Sequence, residues 1–463
     1  MPRGIHGSAE SKARRQAFDE VCARYGFSRY GMQSYGSSLR QSWMREHVPA
    51  HEAQGIARRA FEAVDRCHKG LGGRPRFKSW HRGLRSMESK DHGGALRPVF
   101  DEQGILFGLR WGRGLVVGVA KPSSEKETTE LLRLSRAVES GWLYARITRT
   151  PIAGRTTYRA QFVCNGKPVV RHPQGDEKVC IDLGPSIADV VHDTGSFTVP
   201  LAEKVDAKTA ELRRLQRRLD RQHRAGSPSC FNPDGTHIKG ACHWKNRSRS
   251  ALRTQVNIAE LYRKVAEYRK CEHGRLWNQI RAIGTDVRLE KLNYVAWQKT
   301  FPRSVRNKAP GLFVEIGRHK AESAGGPFFE FSTYSTALSK SCICGERNKK
   351  RLSERTHHCK CGVVAPRDRF SAFLGLYVYR QVDTETKEVQ DLLDVEGAKA
   401  GFLNRHDIGG HPGRAVSKHE VHGGEGCTIP AQWRAARLGL VLAATERFGG
   451  NLHNLCLRLT WQR

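Results

Sequence analysis

The sequence predicts an α+β multidomain chain, on three observations. β-rich runs crowd between Leu96 and Val170, a long charged helical stretch separates strand-like runs after Lys178, and four of the thirteen cysteines sit together between Cys342 and Cys361. A length of 463 residues allows two to four domains, and a hydrophobic content of 38% is enough for packed cores.

The first element is helical, from Ser37 to about Gly70, where Leu39, Trp43, Ile56, Ala60 and Val64 are interleaved with Arg and His. It ends in the Gly/Pro-broken segment Gly70 to Trp80, in which Arg74, Arg76 and Lys78 alternate with Phe77 and Trp80. Cations for phosphates beside rings for stacking suit a nucleic-acid loop, and a simple basic turn has the same letters. The runs Ile105 to Leu109, Leu115 to Val119, Trp142 to Thr148 and Thr157 to Cys164 then read as antiparallel strands of a small barrel or curled sheet, with nothing catalytic among them.

Near Lys178 the pattern changes to strand, turn, strand and a long basic helix. Leu212, Leu215 and Leu219 form its packing stripe, while Arg213, Arg214, Arg217, Arg218, Arg221 and Arg224 fill the rest. Between Leu201 and Ser250 there are twelve Lys or Arg against five acids, a balance that favours tracking a phosphate backbone over a merely solvated face. Ile258, Leu261, Val265 and Tyr268 mark a second helix, so the two are expected to pair as a hairpin inserted between strands. After about Tyr379 periodicity fades, and the tail to Pro430 is rich in Gly, His and Asp, with a short helix expected from Trp433 to Arg447.

The whole chain carries 79 Lys and Arg against 46 acids, a formal net charge of +33 with a sequence pI near 10.1. Such an excess repels itself unless a polyanion neutralises it, which points to nucleic acid. Met1 to Gly7 lacks the apolar core of a signal peptide, and no run of about 18 apolar residues occurs. A cytoplasmic protein, nucleoid-associated when on DNA and not inserted in a membrane, is therefore expected. Nine cysteines are scattered without pattern, which suggests a reducing compartment rather than a disulfide framework.

Three acids stand at element ends. Asp182 closes the apolar run Val179-Cys180-Ile181, Glu290 closes Val287-Arg288-Leu289, and Asp368 opens the helical segment Arg367 to Leu376. Phosphodiester hydrolysis by two metals needs hard oxygen ligands, because Mg²⁺ takes octahedral oxygen coordination, and carboxylates at strand ends supply them. Asp176, Asp189 and Asp193 are nearby in sequence and read as surface acids.

Cys342-Ile343-Cys344-Gly345 and Cys359-Lys360-Cys361-Gly362 read as two knuckles of a zinc ribbon, with Cys342, Cys344, Cys359 and Cys361 as thiolate ligands. One residue separates the cysteines of each pair instead of the usual two, which leaves His357 or His358 open as a substitute ligand. The ribbon is expected to present Lys349, Lys350, Arg351 and Arg355 to nucleic acid.

A strand ending in Asp, a basic helical insert, a strand ending in Glu, a four-cysteine ribbon and then Arg-Asp leading a helix make an order that resembles the split RuvC nuclease of the TnpB and miniature type V CRISPR effector family. The matching segments are Ile181-Asp182-Leu183-Gly184, Leu289-Glu290-Lys291-Leu292 and Arg367-Asp368 with Ala372. Ser339-Lys340-Ser341-Cys342 with Cys344-Gly345 and the basic loop Gly73 to Lys78 also match. The likeness covers roughly Leu39 to Tyr379, while Pro185 and Ser371 depart from the usual residues.

The resemblance implies an RNase H-like nuclease in which Asp182, Glu290 and Asp368 hold two Mg²⁺, with one structural Zn²⁺ in the ribbon. It implies a guide RNA, from a transposon end or a CRISPR array, pairing with double-stranded target DNA next to a short motif read by the N-terminal lobe. Arg74, Arg76, Phe77, Lys78, Arg213, Arg214, Arg217, Arg218, Arg221 and Arg367 are the nucleic-acid contacts it implies. The expected layout is a wedge-type barrel over 1–38 and 90–175, a recognition insert over 39–89, and the nuclease over 176–337 and 366–380. The nuclease carries a helical hairpin at about 201–282; the ribbon spans 338–365, and the tail 381–463 has no assigned role. Two rival readings are a guided DNA binder that represses without cutting, and an unguided zinc-ribbon accessory of a transposase.

Overall fold

The computed structural model describes residues 9–76, 83–90, 95–112, 115–166, 172–240, 247–351, 353–383, 388–409 and 453–460. Two units account for the chain, residues 1–168 with 442–463 and residues 169–441.

In the first unit, α1 (Ala9–Arg24), α2 (Arg29–Ser38) and α3 (Ala50–His68) precede a seven-stranded antiparallel sheet. Its strands are β1 (Ser86–Lys90), β2 (Leu96–Phe100), β3 (Leu106–Trp111), β4 (Leu115–Val119), β5 (Trp142–Ile152), β6 (Arg155–Cys164) and a C-terminal strand, His453–Thr460. The C-terminal strand lies between β6 and β4, pairing His453 with Cys164 at one end and Thr460 with Gly118 at the other. It joins the β1-β5-β6 and β4-β3-β2 halves, so the end of the tail completes this sheet. Leu106, Leu109, Ala145, Ala160 and Phe162 form one buried cluster with Leu134 and Val138 of α4 (Glu125–Glu139), with a register shift opposite Leu106 and Gly108 interrupting the alternation of β3.

The layout expected for residues 1–89 needs three corrections. The barrel expected over residues 1–38 gives way to helices there, α1 and α2. The helix expected from Ser37 to Gly70 is interrupted by single 3-10 turns at Leu39–Gln41 and Trp43–Arg45, because Ser42 takes an extended backbone. β1 falls inside the expected helical insert but pairs along β5. α2 packs on α3 at Gly36, where an added Cβ would meet the Ala57 Cβ at 2.8 Å, so a boundary at residue 38 cuts a packed helical pair.

The second unit is built on a mixed five-stranded sheet in the order β11-β10-β7-β8-β9. Its strands are β7 (Lys178–Leu183), β8 (Ile187–His192), β9 (Gly195–Pro200), β10 (Asp286–Lys291) and β11 (Phe328–Ser332). β7, β8 and β9 form an antiparallel meander, whereas β10 runs parallel to both β7 and β11. The expected helical hairpin is present as α5 (Val205–Gly226) and α6 (Arg249–Ile283), which pack on each other. The crossover from β10 to β11 runs through α7 (Tyr294–Thr300), α8 (Pro302–Lys308) and α9 (Pro310–Ala324).

Each sheet face has its own core. Val179, Ile181 and Leu183 of β7, with Val287 and Leu289 of β10, face Leu276, Trp277 and Ile280 of α6 and Phe313 of α9. Trp277 stacks on Phe313 at 4.8 Å and donates from Nε1 to the Phe313 carbonyl at 2.7 Å. The opposite face carries Cys180, Val191 and Phe331 against Phe370, Phe373 and Leu374 of α11 (Arg367–Gly375). Before α11 come the single-turn α10 (Thr333–Thr336) and the two-stranded β12 (Thr356–His358) and β13 (Val364–Pro366).

Beyond Tyr379 the chain is more ordered than the fading periodicity suggests. β14 (Val378–Val382) and β15 (Val389–Leu393) pair as a hairpin, and α12 (Val395–Leu403) buries Ala398 and Phe402 in the α11 core. The Asp391 carboxylate accepts from Ser332 N at 2.8 Å and pairs with Arg380, which ties the hairpin to the end of β11. The helix expected at Trp433 to Arg447 lies outside the described residues. No helix among the described residues is long and apolar enough to cross a membrane.

Candidate functional site

A row of side chains crosses the second sheet on the face covered by α11. Strand parity places Asp182 on that face, because Val179, Ile181 and Leu183 occupy the other. The same parity turns Glu290 to it, since Val287 and Leu289 point the opposite way. Glu290 and Asp182 each stand one residue past the paired Leu289 and Ile181 on adjacent parallel strands. Asp182 pairs across the ladder with Asp189, and Asp189 pairs with Thr198. Asp368 enters from above, in the first turn of α11, where the helix dipole favours a negative charge.

The charges are coupled. Burial pushes Asp182 well above the usual carboxylate range, and the neighbouring carboxylates Glu290, Asp368 and Asp189 push it further, while a hydrogen bond with the Ser371 side chain opposes them. Burial also pushes Glu290 up to about 7. Ser371 lies three residues after Asp368 and therefore on the same side of α11.

Asp368 is gripped by two arginines. Arg367 Nε donates to one carboxylate oxygen at 2.8 Å and Arg355 Nη1 to the other at 3.1 Å. Arg367 also donates to the Arg351 and Glu354 carbonyls, so its guanidinium is engaged in holding the turn before β12 to the start of α11. Its expected role as a nucleic-acid contact gives way to this internal one.

Glu290, Asp182 and Asp368 offer only hard oxygen donors, and the repulsion that Glu290 and Asp368 exert on Asp182 is what a divalent cation would relieve, so the donor set fits Mg²⁺. Among the described residues, only the four thiolates of the ribbon gather within 4.8 Å of one another as a potential metal-binding group.

In the ribbon, Cys342 and Cys361 Sγ are 3.6 Å apart, and Cys344 and Cys359 Sγ are 3.5 Å apart. Tetrahedral coordination with metal–sulfur bonds of about 2.3 Å sets neighbouring sulfurs about 3.8 Å apart, close to this spacing. The one-residue spacing works because each pair closes a tight turn. Gly345 N bonds Cys342 O at 3.1 Å and Gly362 N bonds Cys359 O at 3.0 Å, with both glycines at positive φ, 83° and 94°.

Neither histidine substitutes for a cysteine. The His357 ring is buried against Phe370 at 4.5 Å with Nδ1 on Lys350 Nζ, while His358 is exposed. Lys350 thus turns inward, its Nζ also donating to Ser339 O at 3.1 Å, whereas Lys349, Arg351 and Arg355 are exposed.

Arg213, Arg214, Arg217, Arg218 and Arg221 are all exposed along α5, opposite the buried Leu212. Arg74 and Arg76 are exposed too, and Phe77 and Lys78 lie outside the described residues.

No family model and no curated protein matches the chain. Among solved structures it is similar to the cryo-EM structure of a Cas12f1-sgRNA-target DNA complex. That match has 12% identity and a TM-score of 0.45, and covers 78% of this chain and 79% of that one. A CRISPR-Cas12f ternary complex matches at 12% identity and a TM-score of 0.30, with 78% of each chain covered. The likeness is distant in both.

Asp189, expected at the surface, is 6% exposed, and Thr198 Oγ1 donates to it. The signal was present in Ala188-Asp189-Val190-Val191, an acid inside an apolar run on a strand with both faces covered.

Proposed function

We propose that the chain is an RNA-guided DNA endonuclease that hydrolyses target phosphodiester bonds at Asp182, Glu290 and Asp368. The observation that carries this reading is their convergence. Three acids separated by more than a hundred residues of helical hairpin and a cysteine ribbon face one another on one side of one sheet, close enough that Asp182 feels both others. Structural acids have no reason to accept that repulsion.

Bound Mg²⁺ would supply a water acidified for attack and a positive charge on the leaving 3′ oxygen. Asp182 and Glu290, fixed by the sheet, would hold the ions together with Asp368 from α11. The Ser371 hydroxyl keeps the Asp182 carboxylate aimed toward them, and Arg367 keeps Asp368 at the start of its helix. No histidine or nucleophilic side chain is required.

The exposed arginines of α5 are the proposed track for the guide or its heteroduplex with target, recognised by shape and phosphate spacing. The four cysteines would hold Zn²⁺, which would fix the turn that Arg367 clasps. Cytoplasmic action on DNA follows from the same reading, as does a guide drawn from a transposon end or a CRISPR array.

The test is to purify the protein from cells carrying its native locus, sequence the bound RNA, and challenge the complex with a randomised-flank DNA library in Mg²⁺. The expected result is a discrete RNA and cuts at matched targets beside a short motif. Asp182→Ala should abolish cutting and keep the RNA. Undiminished cutting by Asp182→Ala removes the site assignment. Discrete RNA with binding but no cuts establishes a guided repressor instead, and no specific RNA returns the chain to unguided DNA binders.

A further inference from the structure

We infer that Asp189 is a positioning residue of the carboxylate site, setting α11 and therefore Asp368 through Thr198 and Arg369; the inference rests on the metal-dependent nuclease reading above. Three strands contribute in register. Asp182 of β7 is paired with Asp189 of β8, and Asp189 with Thr198 of β9, so the three side chains stand in one row on one sheet face, which α11 covers over β7 and β8. Thr198 Oγ1 has one hydrogen, and it goes to the Asp189 carboxylate. Its lone pairs are left to accept, and Arg369 Nη2 reaches them at 3.3 Å.

Arg369 is the residue after Asp368. Its other terminal nitrogen donates to the Asp407 carbonyl at 3.4 Å, so the guanidinium spans the gap between β9 and the segment after α12. Asp189 thus orients the Thr198 hydroxyl, that hydroxyl receives Arg369, and Arg369 fixes the first turn of α11 above Asp182.

An acid is needed because a hydroxyl that lies between a carboxylate and an arginine has only one consistent direction for its hydrogen, whatever its exposure. An asparagine at 189 can offer its N–H₂ to Thr198, which leaves the hydroxyl hydrogen facing Arg369, a group that cannot accept it, and so breaks the relay. Residues that orient metal ligands in this way typically change affinity about 10- to 100-fold when replaced.

The experiment is a titration of the RNA-free full-length chain with Mn²⁺, read by electron paramagnetic resonance, with Asp182→Ala as the site control. Asp189→Asn and Thr198→Val are each expected to weaken binding by about tenfold, within the range for such residues. The double variant should be no weaker than either single, because both break one chain. Thr198→Ser, which keeps the hydroxyl, should restore wild-type affinity.

If Asp189→Asn loses the ion as Asp182→Ala does while Thr198→Val binds normally, Asp189 is a ligand and the relay is wrong. If Asp189→Asn and Thr198→Val both bind as wild type while Asp182→Ala does not, Asp189 has no part in the site and only this inference falls. If Asp182→Ala itself binds as wild type, the carboxylate site fails and the inference with it.

Discussion

Asp182 and Asp189 are direct cross-strand partners in the β7–β8 ladder, two carboxyl groups side by side on a sheet face that α11 covers. Like charges in that relation are destabilising, and burial makes them more so. The fold tolerates them only by holding protons or cations there, so this region is the natural place to look for pH and metal effects.

Glu290 gives the sign. Its carboxyl takes up a proton at about 7 in the fold, against an ordinary value of 4.5. An acid raised in this way contributes stability that is fully present below pH 4.5 and lost as the pH rises through about 7. In EDTA, the melting temperature of the wild type should therefore fall between pH 5 and 8 more than that of Glu290→Gln, by an amount corresponding to about 2–3 kcal/mol. Mg²⁺ should restore the difference at the alkaline end, because it binds the deprotonated carboxylates. Parallel pH profiles for the two proteins would show that Glu290 is not protonated in the fold.

The ribbon makes a separate prediction. Cys342 is fully buried, and the four sulfurs converge without help from His357. Cys342→Ser should lower the zinc content by one ion per chain, measured by plasma mass spectrometry. Hydrogen-exchange protection should drop in residues 339–366 and extend into the first turn of α11, since Arg367 is hydrogen-bonded to the Arg351 and Glu354 carbonyls. Unchanged zinc content would refute the four-cysteine site.

How much of this was legible depended on whether a feature is local. Asp182 and Glu290 could be placed because each ends a run whose alternation fixes its face, and the cysteine pairs because the turn glycines follow them. The run Ala188 to Val191 signals that Asp189 is buried, but its place beside Asp182 requires the register of a hairpin, which the letters Gly184-Pro185-Ser186 do not specify. α4 carries a local signal: Ser124 caps Glu127 N at 3.3 Å, and Glu127 returns to accept from Ser123 N at 2.7 Å. Leu455, Leu457 and Leu459 alternate as a strand should, but the strand's partners, β6 and β4, are some three hundred residues away, and no local pattern names them.

The exposed arginines of α5 predict a salt response. Each phosphate neutralised on a single strand contributes about 0.7 to the slope of log affinity against log salt, and on B-DNA about 0.9. Replacing Arg213, Arg214, Arg217, Arg218 and Arg221 together by Ala should reduce the slope by up to about 3.5 on a single strand and about 4.5 on B-DNA. The melting temperature should barely move, because all five are solvent-facing. An unchanged slope in a filter-binding series from 50 to 400 mM salt would move the nucleic-acid track off this helix.

Gly375 tests whether the seat of α11 matters for the site. An added Cβ there would come within 2.2 Å of Cys180 Sγ and 3.3 Å of Phe331 Cζ, so the helix rests on β7 only because position 375 has no side chain. Gly375→Ala gains helix propensity, about 1 kcal/mol in an exposed helix, yet the overlap should outweigh it and leave a net loss of about 1–3 kcal/mol. The displacement also lifts Asp368 away from Asp182, so cleavage should fall more steeply than stability. Adding Cys180→Ala removes the sulfur and leaves the position 180 Cβ at 3.5 Å, an ordinary contact. The double variant should then recover stability and cleavage together, whereas recovery of stability alone would separate the packing of α11 from the chemistry proposed at its first turn.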